Sequence, residues 1–377
     1  MFRFHLPLCP VTVLTVLVGM SWSACSPVAS GDDPKKPNIE ELVKQLGSDD
    51  FETRKQAIPA LITAGLPAVK PMEEAAQGPD LEVRFHAVTV LAALSRTTDD
   101  ATSAAARKAL EAVAAGKYPD ASGPAKDALK FFVRPDQMRK LALQFPLVQV
   151  QGGQKKKLEL SEKSIHRFVD VDRYVTDGTL WVFGKGRPAA VIEIYPAGPG
   201  NEEDVWYSAI ASLSAHPLVS ESIDGVEGRD WIPEPWQGTF ELLPKAPKPA
   251  AAAGDRLVEM QTLSRRFSAH QFWRPGETRY ELEVLPTPAL RYADEKEGIV
   301  DGGMFLIVHD VNPEVLLLLE AQATKGTTTW KYALAPLGSA RMHVQLDKEE
   351  VWTCPTPANV IGGGKHPYWA LQRTLVK

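Results

Sequence analysis

"RFVDVDRYVTDGTLWVF", residues 167–183, returns 124 residues further on as "RYADEKEGIVDGGMFLI", residues 291–307. Arg167 falls on Arg291, Asp170 on Asp294, and Asp177-Gly178 on Asp301-Gly302, while most apolar positions stay apolar. Extended without a gap from 157 to 213, the match holds twelve identities in 57 positions, Trp206 with Trp330 among them. Ahead of it, "MRKLALQF" at 138 resembles "MQTLSRRF" at 260, and behind it Trp231 corresponds to Trp352 after a small deletion. This register predicts a tandem duplication: one lobe over 136–243, a Pro/Ala-rich connector over 244–255, and a second lobe over 256–377.

Each copy opens with a helix and continues in short runs rich in Val, Ile, Leu, Trp and Tyr, broken by Gly, Pro and Asp. That pattern predicts α+β lobes with antiparallel sheets. "TLWVF-GKGR-PAAVIEIY" reads as a hairpin, and so does its counterpart "MFLIVH-DVNP-EVLLLLEA", with Asn312 and Pro313 in the turn. The unbroken run "VLLLL" calls for burial on both faces, under the helix or the other copy. Residues that recur in both copies suit a shared structural need better than a single active site. Arg167, Asp177, Trp206, Arg291, Asp301 and Trp330 are therefore expected to be anchors, the Trp pair in the core. Asp-Gly reads as turn chemistry, and the three-residue spacing in "RFVD" and "RYAD" sets Arg and Asp on opposite faces of a strand.

A shorter period lies upstream. "DFETRKQAIPAL", 50–61, is repeated thirty residues on as "DLEVRFHAVTVL", 80–91, with Asp, Glu, Arg, Ala and Leu in common. Asn38 with Glu41 forms a capping box, and Asp50 and Asp80 stand ready to cap helices whose expected buried residues are Phe51, Ile58, Leu61 and Ile62, then Leu81, Phe85, Val88 and Leu91. A looser third unit follows. Over about residues 38–133 these stretches resemble HEAT repeats of the short bacterial type. The resemblance implies a short α-solenoid, with Asp50, Arg54, Asp80 and Arg84 holding adjacent repeats in register. It further implies a scaffold that binds other proteins, although so short an array would equally serve as a cap for the larger domain after it. Pro59, mid-helix, departs from the pattern and is expected to kink its helix.

The first thirty residues are of another kind: one positive charge in "MFRFH", an apolar run through "LPLCPVTVLTVLVGM", then small residues. This is a signal peptide, its run too short for a membrane span. "WSAC" has the form of a lipobox, which would leave Cys25 acylated; cleavage after "VAS" fits as well. Residues 31–37 then form a linker. The mature chain keeps Cys354 and, by the first route, Cys25, so packed cores rather than disulfides must hold it. Net charge of −5, with 42 basic against 47 acidic residues, excludes a nucleic-acid partner. The Lys155–Lys157 run reads as a solvated turn.

Spacing reveals no catalytic constellation. Eight His show no metal-ligand spacing, so neither metal nor cofactor is expected. "GKGRP" at 184 and "GGGKHP" at 362 lack the phosphate-loop pattern. His309-Asp310 reads as a capped turn and Cys354 as a buried small residue. The expectation is an exported, periplasmic or lipid-anchored bacterial protein of the cell envelope, an interaction scaffold with an unidentified protein partner and no catalytic activity. The alternative is a carrier or sensor with an apolar small ligand between the lobes.

Overall fold

The computed structural model describes residues 38–170, 173, 175–197, 205–236, 238–273, 278–356 and 365–374. Cys25 lies outside the described residues. The chain is mixed α+β, helical at first and sheet-rich afterwards, and divides into two compact units, 1–122 and 123–377. That division falls inside a helix.

The first unit contains α1 (Ile39–Gln45), α2 (Phe51–Ala64), α3 (Leu66–Ala75), α4 (Leu81–Leu94), α5 (Asp100–Ala114) and the start of α6 (Pro119–Leu143). Asn38, Asp50, Asp80 and Asp99 each stand just before a helix and accept a hydrogen bond from a backbone N–H of its first turn, satisfying donors that the helix itself cannot. Buried Ala57, Ala68, Ala87 and Ala106 alternate with Leu61, Met72, Leu91 and Leu110, so the helices approach closely. Pro59 sits within α2, which runs uninterrupted to Ala64. One expectation is corrected. Phe51, Leu81 and Phe85 are 62 %, 64 % and 54 % exposed. The sequence of α4 is apolar on nearly every side, and its buried stripe follows Ala87, Val88, Leu91 and Leu94, which leaves Phe85 off the stripe and Leu81 beyond it.

The second unit takes the remainder of α6 and then β1 (Leu147–Gln151), β2 (Gln154–Lys157), β3 (His166–Asp170), β4 (Val175–Phe183), β5 (Ala190–Pro196), β6 (Val205–Ser212), β7 (Leu218–Ser220) and β8 (Glu241–Leu242). Its second half adds α7 (Ala253–Ser264), β9 (Phe267–Phe272), β10 (Arg279–Val284), β11 (Leu290–Asp294), β12 (Ile299–His309), β13 (Asn312–Thr324), β14 (Thr327–Pro336), β15 (Arg341–Leu346), β16 (Glu349–Cys354) and β17 (Tyr368–Thr374). The first half holds a three-stranded sheet, β2-β1-β7, and a five-stranded one, β17-β6-β5-β4-β3. In the second half the corresponding strands join in a nine-stranded sheet, β16-β15-β9-β10-β12-β13-β14-β8, with β11 also on β12. Lys155 to Lys157 are strand residues of β2, not a turn: the turn falls on Gly152 and Gly153, both at positive φ.

Strand pairing runs closely alike in the two halves. His166 pairs with Leu180, and Leu290 with Met304. A bulge follows Phe168 in one and Tyr292 in the other. Where β10 meets β12 at Val284 and Ile307, the first half keeps a single bridge, Leu160 to Phe183. Ser220 bridges Trp231 as Val344 pairs with Trp352. The match is not gapless, however. Phe183 pairs with Ala190, yet Ile307 pairs with Val315 rather than Glu314, because β13 bulges at Glu314 and the hairpin turns on Asp310 and Val311. Asn312 and Pro313 are therefore strand residues, not turn residues. A one-residue slip exchanges the faces of a strand. Accordingly Leu317 and Leu319, like Ile192 and Ile194, point to the helix side, whereas the ungapped match would have sent Leu316 and Leu318 there.

Three cores result. Met138 and Leu141 of α6 cover Trp181, Ile192 and Trp206; Met260 and Leu263 of α7 cover Phe305, Leu317 and Trp330. The opposite faces of the two sheets meet in a third cluster, Leu180, Val182 and Val191 with Leu306, Leu316 and Leu318. The run "VLLLL" is thus covered by the helix and by the other half together. The halves also exchange edges. β17, at the end of the chain, pairs with β6 of the first half, and β8 pairs with β14 of the second. Each of the two sheets therefore takes one edge strand from the other half.

The Asp-Gly pairs are not turns. Gly178 and Gly302 lie inside β4 and β12 opposite Phe168 and Tyr292, whose rings occupy the space a Cβ would need: one built on Gly178 would come 2.4 Å from Phe168 Cζ, and one on Gly302 2.6 Å from Tyr292 Cε2. Gly178→Ala and Gly302→Ala are each expected to destabilise by about 1–3 kcal/mol through overpacking. Thermal unfolding measures it, and a raised midpoint in either variant would contradict this seat.

Candidate functional site

Asp177 and Asp301 sit at equivalent sheet positions and are buried. Arg167 grips Asp177 with two bonds of 2.6 and 2.7 Å, and Arg291 grips Asp301 at 2.9 and 2.6 Å. Each carboxylate also faces a second arginine from the helix above, Arg134 at 3.9 Å and Arg256 at 2.8 Å. Arg167 and Arg291 donate onward to helix carbonyls, those of Phe131 and Ala253. The two clasps tie each helix to its sheet. Burial would push the Asp301 carboxyl up, but its bonds to Arg291 and Arg256 outweigh burial and hold it below the usual range. Arg134 and Arg256 escaped the sequence reading, although the offset of the "MRKLALQF" match places one on the other. Trp206 and Trp330 are buried, and the indole N–H of each is without a partner.

In the helical unit Asp50 and Asp80 cap their own helices, while the arginines reach outward. Arg54 donates to Ser48 O and pairs with Glu82 of α4 at 2.9 Å; Arg84 donates to Gly78 O and Pro79 O and pairs with Asp120 at 2.7 Å.

A polar cluster that no spacing in the sequence announces lies where the two sheets face each other. Asp170, fully buried at the β3 bulge, accepts from Asn312 at 2.9 Å and from the Arg173 backbone at 3.1 Å. Arg173 stacks on Trp273, 3.9 Å from its ring centre, and binds Asp170 and Glu314. The buried Gln271 amide, oriented by this network, donates to Glu314 at 3.1 Å and accepts from Arg173 at 2.8 Å. Glu193 stands nearby with one carboxyl oxygen buried and unpartnered. Burial, aided by the Glu314 charge and opposed by Arg173, raises its pKa well above the ordinary carboxylate value; burial raises Glu314 as well, against Arg173. His166 Nε2 donates to Val311 O at 2.8 Å across the same seam, and burial lowers its pKa.

A second crossing has related geometry. Arg187, from the β4–β5 turn, binds Glu320 at 2.9 and 2.6 Å, and Tyr292 and Gln322 also donate to that carboxylate. Gly186, in the same turn, lies against Asp294, much as the β12–β13 turn lies against Asp170. Each turn thus rests on the bulge aspartate of the other half.

His309 does not engage Asp310. Its Nδ1 lies 3.9 Å from Asp170, and Asp310 holds the turn at φ +54°. Cys354 is buried, and burial pushes its thiol up to about 11. It lines a cleft of about 340 Å³ shared with Trp236, Glu241, Tyr332, Pro336 and Trp352. Among the described residues no group of three or more His, Cys, Asp or Glu could hold a metal, and no helix is long and apolar enough to cross a membrane.

No family model matches the chain, and no curated protein shows significant similarity to it.

Proposed function

We propose that this chain is an interaction protein of the bacterial cell envelope, exported by residues 1–30, without catalytic activity. In this reading residues 38–133 are a short HEAT-like array that docks a protein partner, and residues 136–243 and 256–377 are two copies of one α+β lobe. The observation that carries the docking role is the line of exposed apolar residues Phe51, Leu81 and Phe85. Charged contacts tie that line together: Arg54 lies 5.9 Å from the Phe51 ring and pairs with Glu82, His86 approaches Glu82 at 3.7 Å, and the Phe85 and His86 rings meet edge to face. Exposed aromatic anchors on a rigid helical frame are the usual core of a protein–protein contact. Duplication is supported by the shared registers, bulges and Arg–Asp–Arg clasps, which survive the one-residue slip of β13.

A carrier with its ligand between the lobes is less well supported, since Leu180, Val182, Leu306, Leu318 and the Arg173 and Arg187 networks fill that seam. The docking reading is tested by cross-linking in envelope extracts. Phe51→Ser with Phe85→Ser is expected to abolish capture of a partner that the wild-type chain retains, with the thermal midpoint unchanged because both rings are exposed. Undiminished capture by that variant would reject the reading. Whether Cys25 carries lipid is read by fatty-acid labelling of the wild type against Cys25→Ser.

A further inference from the structure

The cleft beside Cys354 belongs to the sheet-rich unit and shares Trp236 and Ala333 with the core cluster of the seam. Its walls come from β14 and β16 and from the segments before β8 and β17, so the exchange of edges between the two halves creates it. Two tryptophans, Trp236 and Trp352, and one tyrosine, Tyr332, line it. The exposed Glu241 accepts a bond of 2.9 Å from the Tyr332 hydroxyl and places a carboxylate among these rings. The register pair of Tyr332 with Glu241 holds that arrangement on backbone hydrogen bonds. Among the described residues no Lys or Arg lines the cleft.

Charge and ring electrostatics point to one ligand chemistry. Aromatic faces are negative and attract cations, and a carboxylate adds a full counter-charge. An anion would meet both unfavourably. A primary ammonium is strongly hydrated and gains little from apolar walls, whereas a quaternary ammonium presents methyl groups to the rings and keeps its charge for Glu241. The volume, about 340 Å³, accommodates such a head group with part of what it is attached to.

We propose that this cleft is a binding site for a quaternary ammonium group of the choline class, with Trp236, Trp352 and Tyr332 as its walls and Glu241 as its counter-charge.

The full mature chain is titrated with choline and with the uncharged isostere in which carbon replaces nitrogen, read by calorimetry and by tryptophan fluorescence. Choline is expected to saturate with a Kd below about 1 mM and to bind at least about tenfold more tightly than the isostere. Glu241→Gln is expected to remove most of that preference while leaving isostere binding and the urea midpoint unchanged, Glu241 being exposed. Phosphatidylcholine vesicles form a parallel arm: co-sedimentation lost in Glu241→Gln assigns the group to a lipid head group, and choline binding without co-sedimentation assigns it to a free solute. Equal affinity for choline and isostere, or no saturation by choline, would overturn the site.

Discussion

Replacing Arg173 with methionine is expected to cost about 3–5 kcal/mol of stability at pH 7, and much of that loss is expected to vanish by pH 5. Removing one partner of a buried ion pair leaves the other charged and uncompensated, and here two partners, Asp170 and Glu314, lose their cation at once. Methionine keeps an aliphatic stem of similar length but loses the guanidinium that lies over Trp273, a contact that adds to the lost ion pairs. The pH dependence follows from Glu193 and Glu314, both raised by burial. A carboxyl with a raised folded pKa binds more protons folded than unfolded above an unfolded value of about 4.3, so stability falls as pH rises through that window. Arg173 opposes both shifts; its loss raises both groups further and steepens the fall. Urea unfolding of wild type and variant at pH 5 and pH 7 measures the difference. A loss of equal size at both pH values would mean that Arg173 acts through packing rather than charge.

The same cluster shows where the sequence was opaque. Recurrence along the sequence picked out Arg167, Asp177, Trp206 and their partners, which anchor each half internally. Apart from Asp170 and Asp294, which do recur, the seam is built from residues that do not: Arg173 falls on Glu297 in the 124-residue match, and Glu193 has a leucine as its counterpart whichever register is taken. A filter for shared structural need discards the groups that join the two halves, because joining unlike surfaces requires differences. Antiparallel strands and hairpins were legible because Val, Ile and aromatic runs alternate with turn residues. The slip in β13 was not, since a strand of consecutive leucines satisfies either face and hides its own register. Apolar content likewise misled at Phe51, Leu81 and Phe85: composition marks a helix as able to bury residues, while small residues such as Ala57 and Ala87 decide which side does. Asp-Gly read as a turn because the pair is common there, whereas the rings of Phe168 and Tyr292 are the reason for glycine here. The cleft could not be foreseen at all, being assembled from four segments that meet only when the edges cross.

That crossing is the basis of the other large effect. Arg373→Leu is expected to destabilise the second unit by about 3 kcal/mol, the lower part of the range for breaking a buried pair. Its side chain is fully buried and donates to Leu141 O and Ser208 Oγ at 2.9 and 3.0 Å, to Gln144 at 2.7 Å and to Asp224, with the guanidinium 4.8 Å from the Phe145 ring. Arg229, 2.9 Å from Asp224, would remain and partly compensate it, which is why the upper part of the range is not reached. Arg373→Lys is expected to recover little, since an ammonium cannot fork between a carboxylate, a carbonyl and an amide. One side chain thereby pins the last strand of the chain to α6, β6 and the turn at Asp224, all in the first half. Truncation before Tyr368 removes this pin together with the seven backbone pairs of β17 on β6 and leaves β6 as an open apolar edge. The truncated chain is expected to lose cooperative unfolding in its sheet-rich unit and to aggregate, and a peptide spanning 365–374 added in excess should restore solubility. Urea unfolding followed by tryptophan fluorescence measures the point variants, and light scattering the truncation. A truncated chain that stays monomeric and unfolds cooperatively at the wild-type midpoint would show that the first half closes its sheet without help from the end of the chain.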